Sequence, residues 1–414
     1  MARLETSGYY ALGVPFYLAL IAAEILLARR KGMRVYRFAD TIGSFSAGLG
    51  EVIVGIFLGP LLIALYDFGY EHIALVRWPE GSLIPWVLAF VAGDFCYYWY
   101  HRAGHAVAAL WSIHGVHHQA EELNFSIATR HPWFSDSYSA IFYAPVPMLG
   151  VPPLHFFVAI SIISFYALTV HTQVFHRPGF YILVTPATHI VHHAQNRRYL
   201  NKNFGAMFTV WDRMFGTHAE VDPADPPRLG TPFGYETHDG ALAQWVFLRD
   251  LLAIARQGQS FADKINKTFV LHPGWLPRGA RKPRAIPARP DGTIPSAVKI
   301  YAGIAFTATL AFALWLMWLR DEHPQWLLVA SAFANLWGLS TIGGLLDGRA
   351  RAARSELARL VGTAALGVAI GVSSEKPLVG AVVVFVAVAS AAYVALARGK
   401  LDPEPAQAPA VLAA

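Results

Sequence analysis

The chain is poor in charge and almost without cysteine. Only 14% of its 414 residues are Asp, Glu, Lys or Arg, against about 25% in soluble domains. Its one cysteine, Cys96, rules out an intrachain disulfide and reads as a small buried apolar side chain. No Gly-x-Gly-x-x-Gly fingerprint sits in a strand–helix setting, so the chain brings no dinucleotide site of its own. The zinc-protease pattern His-Glu-x-x-His is missing too: Arg102 follows His101. No nucleic-acid module is present.

What is abundant is apolar sequence. Hydrophobic residues make up 55% of the chain, and the mean hydropathy is +0.39. A spanning helix needs about 20 apolar residues. Runs of that kind at 9–28, 46–66, 82–100, 134–150, 153–170, 299–319, 324–346, 356–373 and 377–397 predict an all-α, polytopic transmembrane helical bundle. Arg29, Arg30, Lys31, Arg34 and Arg37 follow the first run. A signal peptide has its positive charge before the apolar run, so 9–28 reads as an uncleaved anchor ending in the cytoplasm. Arg349, Arg351, Arg354, Arg398 and Lys400 then fall on the same side, and the net charge of +6 follows from this topology. Both 82–100 and 153–170 end on that side, so His101 and His171 are expected at one face.

The expected domains are an N-terminal anchor and basic loop (1–45), a catalytic domain (46–235), a cytoplasmic segment (236–297), a four-helix transmembrane accessory domain (298–400) and a disordered tail (401–414). Within 236–297, residues 240–257 form an amphipathic helix, with Trp245, Phe247 and Leu251 against Arg249 and Arg256. It either lies in the membrane interface or covers the site. The Pro-rich basic stretch 273–297 is a linker, solvated or close to anionic headgroups.

Nine of the 17 histidines occur in two places. The first holds His101, His105, His114, His117 and His118; the second holds His171, His189, His192 and His193. Imidazole is the commonest neutral metal ligand. Residues four apart share a helix face, so His101 and His105 point the same way, and His114-x-x-His117-His118 is matched by His189-x-x-His192-His193. Nine rings exceed the roughly six positions around one ion, so the spacing implies a polyhistidine di-metal site. It does not name the metal, since imidazole suits iron, zinc, copper and nickel. Asp94, two helical turns before His101, is placed to hold a ligand's free ring N–H or to cap or pair within the bundle. An enzyme and a metal transporter both remain open. Transporters hold their ligands near the bilayer midplane, whereas these clusters fall at the ends of spans.

The motifs resemble those of the fatty acid hydroxylase/sterol desaturase superfamily. The matching residues are Asp94, Trp99-Tyr100-His101-Arg102-x-x-His105 and Trp111-x-x-His114-x-x-His117-His118, then Glu121, Asn124 and Arg130. In the second half they are His171-Thr172, Thr185-Pro186-x-x-His189-x-Val191-His192-His193, Asn203-Phe204-Gly205 and Trp211-Asp212-Arg213-x-Phe215-Gly216-Thr217. The last motif and the extra C-terminal spans are most similar to alkylglycerol monooxygenase-like members, with Ala106 standing where those carry a glutamate. The resemblance implies an integral membrane, non-haem di-iron, O2-dependent monooxygenase that hydroxylates a lipid C–H bond, or a desaturase on the same site. The lipid would be an ether lipid, a fatty acyl chain or sterol-like. The nine histidines would be the ligands, with no further catalytic residue, and Asp94, Asn124, Asn203 and Asp212 would stand behind them. Asn124 and Asn203 would bond ligands or hold loops. Electrons would come from a separate donor: a reduced pterin, a ferredoxin or a cytochrome-type reductase. The active site would face the cytoplasm, from a bacterial inner membrane or the endoplasmic reticulum.

Overall fold

The computed structural model describes residues 6–175, 181–231, 236–270, 289–318, 324–373 and 376–401. His176, the His272-Pro273-Gly274-Trp275 stretch, most of the expected 273–297 linker and nearly all of the expected disordered tail lie outside them. The described residues form helices and no strand, with isolated bridges at Leu183–Phe208 and Ala194–Leu229.

The chain opens with α1 (Thr6–Arg30), α2 (Phe38–Ile73) and α3 (Ile84–Ala106). Short helices follow: α4 (Ala108–His114), α5 (Phe125–Ala128), α6 (Ser135–Tyr143) and α7 (Pro145–Met148). Next come α8 (Pro153–Thr169), α9 (Pro186–His192), α10 (Val210–Met214), α11 (Gly240–Arg256) and α12 (Phe261–Ile265). The C-terminal helices are α13 (Ser296–Trp318), α14 (Gln325–Leu346), α15 (Ala352–Ser373) and α16 (Pro377–Leu396). Prolines open α3, α8, α9 and α16, where the missing N–H leaves no bond unmade.

Among the described residues, five helices, α2 and α13 to α16, are long and apolar enough to cross a membrane, as befits an integral membrane protein. The expected span at 134–150 is absent. Ser135–Tyr143 is nine residues long, about 14 Å at 1.5 Å per residue, and α7 is a further four. Proline stops the longer run: Pro145 and Pro147 cannot donate into a continuing helix. Between α7 and α8, Gly150 has φ +75°, and a Cβ there would stand 2.1 Å from the Val76 carbonyl oxygen, so only glycine fits.

The described residues fall into two compact units. The first takes 1–37, 54–236 and 243–286; the second takes 38–53, 237–242 and 287–414. In the first unit α8 packs along α3, with Ile160 of α8 against Gly93 of α3. Tyr66 stacks on Phe156 at 4.4 Å, and Cys96 is buried in this core as expected. Both α3 and α8 end at histidines: His101 and His105 lie in the last turns of α3, and His171 follows α8 by two residues.

The second unit holds a buried ion pair. Glu356 of α15 is fully buried and accepts from the Arg359 Nε at 2.8 Å, with Tyr301 and Thr341 hydroxyls also donating to it. Arg349, read from sequence as a topogenic charge, is also paired, with Asp239 and Asp347 at 2.7 Å each. Alanine at Glu356 strands a buried guanidinium, and the expected loss is about 3–5 kcal/mol of stability. Thermal unfolding in detergent reads this as a large drop in midpoint, and an unchanged midpoint contradicts it.

Candidate metal centre

The nine histidines meet in the first unit as two groups of buried rings. One is His101, His105, His114, His118 and His192; the other is His117, His171, His189 and His193. Within each group the ligand atoms lie within 4.8 Å of one another. Each group draws from both stretches of sequence, and the two stand side by side, with His118 and His193 ring centroids 4.5 Å apart.

Local geometry explains the crossing. In His114-x-x-His117-His118 the i,i+4 pair, His114 and His118, serves the first group while His117 serves the second. In His189-x-x-His192-His193 the i,i+4 pair, His189 and His193, serves the second group while His192 serves the first. Consecutive residues on a 3-10 or α-helical turn diverge by about 100–120°, so adjacent histidines cannot share an ion. The 3-10 turn His117–Gln119 and the end of α9 supply that divergence.

The ring nitrogens are arranged as metal donors. His114 Nε2 lies 3.1 Å from His101 Nε2 and 3.2 Å from His118 Nε2. His189 Nε2 lies 2.9 Å from His171 Nε2 and 3.0 Å from His193 Nε2, and His171 Nε2 is 3.1 Å from His117 Nε2. On the other side of the rings, Nδ1 of His101, His117, His171 and His192 meets the carbonyls of Phe204 (2.9 Å), Arg130 (3.2 Å), Ala167 (2.7 Å) and Lys202 (3.0 Å). A carbonyl only accepts, so Nδ1 carries the proton in these rings and Nε2 keeps its lone pair. His105 Nε2 and His192 Nε2 are buried without a hydrogen-bond partner. Five and four convergent lone pairs, some with nothing else to bind, fit two ions of a nitrogen-preferring metal.

Burial, and then neighbouring imidazoles, hold His114, His117, His118, His189 and His193 well below the ordinary histidine range. Burial pushes His192 and His171 down to about 3. They are therefore neutral at pH 7, as ligands must be. In the unfolded chain each titrates near 6.5, so acid favours unfolding. The stability is present above about pH 6.5 and lost as pH falls toward 3. Metal-free protein is expected to show an unfolding midpoint that falls steeply from about pH 6.5 downward, with more than one proton taken up; a flat profile contradicts it.

The residues expected behind the ligands act through backbone. Asp94 is fully buried, but its carboxylate accepts from Met207 N (2.9 Å), Phe208 N (3.3 Å) and the Trp211 indole (2.8 Å). The ring bond expected of it goes instead from His101 to the Phe204 carbonyl. Asp212 accepts from Phe204 N and Gly205 N at 2.8 Å each and from the Thr217 hydroxyl at 2.7 Å, and burial raises its pKa. Gly205 is required here, because a Cβ would lie 2.3 Å from the Phe208 oxygen. Asn203 adopts φ 57° and donates to Thr188 O at 2.8 Å and Ala219 O at 2.7 Å, bracing the turn before His189. Asn124 caps α5, accepting from Ser126 N and Ile127 N, and donates to the Val35 carbonyl. It touches no ligand ring by a hydrogen bond.

Two contributors escape the sequence reading. Glu24 of α1 is fully buried and accepts from Phe125 N at 2.8 Å and from the hydroxyls of Tyr36 and Thr172, the residue after His171. An acid within an apolar run was the available signal. The carbonyls of Phe204, Lys202, Ala167 and Arg130 had none, since any residue type supplies one. Trp111 packs on His118 at 5.4 Å and on His105 at 5.2 Å and is covered by Phe247 of α11 at 5.8 Å.

The sequence profile described as fatty acid hydroxylase matches residues 86–217, which contain all nine histidines. The chain is 30% identical over 369 residues to alkylglycerol monooxygenase of Homo sapiens, covering 86% of this chain and 81% of that one. It is 30% identical over 163 residues to ornithine lipid hydroxylase OlsE of Rhizobium tropici, covering 38% of this chain and 47% of that one. It is 25% identical over 175 residues to the Delta(7)-sterol 5(6)-desaturase erg3A of Aspergillus fumigatus, covering 40% and 47%. No solved structure matches the chain.

Proposed function

From the chain's membership of the fatty acid hydroxylase family, alongside alkylglycerol monooxygenases, we propose that it is a di-iron, O2-dependent monooxygenase hydroxylating a C–H bond of a membrane lipid. The observation that carries this reading is the pair of buried groups of neutral imidazoles, each built from both histidine stretches. Two irons bound there would supply the reduction of O2 and the insertion of one of its oxygen atoms into the C–H bond.

The chain's own residues supply the rest. His101, His105, His114, His118 and His192 would hold one ion, and His117, His171, His189 and His193 the other. The Nδ1 bonds to Phe204, Arg130, Ala167 and Lys202 fix ring tautomer and direction. Asp212 and Asp94 hold the 204–211 backbone that accepts from His101. Trp111 and Phe247 cover the first group and keep water away from it. The substrate class, by analogy with the relatives, is a glycerol ether lipid, with an amino-acid-headed lipid next. A separate donor supplies the electrons, and the site opens to the cytoplasmic side. A desaturase reading on the same site rests on the sterol desaturase relative.

The test is iron-loaded chain in lipid nanodiscs with a chemical reductant, offered an alkylglycerol, an ornithine lipid or a sterol under 18O2. One lipid class should gain a single labelled oxygen. A product that loses hydrogen without gaining label moves the reading to desaturation. No oxidation of any lipid, with zinc moved across vesicles instead, overturns the enzyme.

A further inference from the structure

The segment α11–α12 has two unlike sides. Its inner side is spent on the metal centre. Ala243, Val246, Phe247 and Leu251 are buried, Phe247 lies on Trp111, Gln119 Nε2 donates to the Ala243 carbonyl at 3.3 Å, and Trp133 N donates to Gln244 Oε1 at 3.0 Å. The helix thus roofs the first histidine group at the end of the unit where α3 and α8 terminate.

Its outer side is bare and apolar. Trp245, Leu252, Phe261, Ile265 and Phe269 are between 42% and 80% exposed. The spacing from 245 to 252, and from 261 to 265, keeps each pair on one helical face, and Phe269 lies in the π-helical turn Asn266–Val270 that directly continues α12. Arg249 and Arg256 share the stripe of Trp245, and Lys264 is exposed beside Phe261. Residues 245–269 carry Arg249, Arg256, Lys264 and Lys267 against Asp250 and Asp263, a surplus of two positive charges. Large apolar side chains interleaved with cations are what a headgroup surface binds. A transient electron donor would meet a smaller and more polar patch.

We propose that the outer face of α11–α12 rests on the anionic headgroup surface of the membrane in which the chain itself resides. The roof over the histidines is then held down by lipid from outside as well as by Phe247 from within. This stands whether or not the centre hydroxylates a lipid.

The test uses the near absence of cysteine. Cys96 is buried, so a cysteine introduced at Trp245, Leu252 or Phe261 is the accessible thiol, and replacing an exposed side chain there spares the core. Full-length variants carrying an environment-sensitive fluorophore are reconstituted in phosphatidylcholine vesicles with or without phosphatidylserine. The labels should shift to the blue, be quenched by nitroxide-bearing lipids and resist aqueous iodide, most strongly with phosphatidylserine. Arg256→Glu with Lys264→Glu should reverse the shift in the anionic vesicles. Labels that stay open to iodide and untouched by nitroxide lipids in both compositions overturn the proposal. So does shielding that appears only when a soluble redox protein is added, which would make the face a protein-docking surface.

Discussion

Alanine at His189 is expected to strip one metal ion from the purified chain, and alanine at His114 the other. Each of these two rings stands between two others of its group. His189 Nε2 is within 3.0 Å of both His171 and His193, and His114 Nε2 is within 3.2 Å of both His101 and His118. Neither group is contained in one stretch of sequence, so each variant takes metal from a site that its own stretch only partly builds. Iron should fall from about two ions per chain to about one in each single variant, and to near zero in the double. Replacing partners behind metal ligands already costs about 10–100-fold in affinity or activity, so losing a central ligand should cost more than about 100-fold in turnover. If either variant keeps its full metal content, the crossed assignment is wrong.

The second large effect is expected at Asp212, which touches no metal ligand. Its carboxylate receives two backbone N–H groups and one hydroxyl, and one of those amides belongs to Phe204, whose carbonyl orients His101. Asparagine keeps one acceptor and turns the other into a donor, facing either the Phe204 or the Gly205 amide. The Phe204–Gly205 turn must then move, and steric room is short because Gly205 already lies against the Phe208 oxygen. Asp212→Asn should lower metal affinity by about 10–100-fold while the chain stays folded. The ion lost first should be that of the His101 group. Equal weakening of both ions, or none, would assign Asp212 a purely structural role in the 204–217 turn.

The histidines that gather into the two groups were legible because metal chemistry constrains residue type and spacing together. His101 with His105, and the two His-x-x-His-His runs, carry an i,i+4 signature in the bare sequence. The way the rings sort was not legible, since it depends on a 3-10 turn at 117–119 and on where α9 ends. The inference of two ions rested on counting rings, and the split into five and four is tertiary geometry. Asp94 shows the limit of spacing arguments. It lies on the expected stripe of α3, but the side of that stripe facing the 207–211 segment captures it. The span expected at 134–150 failed because hydropathy averages over Pro145 and Pro147, which break the helix without lowering apolar content much. Glu24 was overlooked because its partners, Tyr36, Phe125 and Thr172, lie 12, 101 and 148 residues further along the chain.

The central claim is that both histidine stretches jointly hold two irons with imidazole nitrogen alone. X-ray absorption at the iron edge of the loaded wild-type chain tests it most directly. The account predicts a first shell of nitrogen with the outer scattering typical of imidazole rings, at an iron content of about two per chain. Zinc in place of iron, or a shell dominated by carboxylate oxygen, would contradict it.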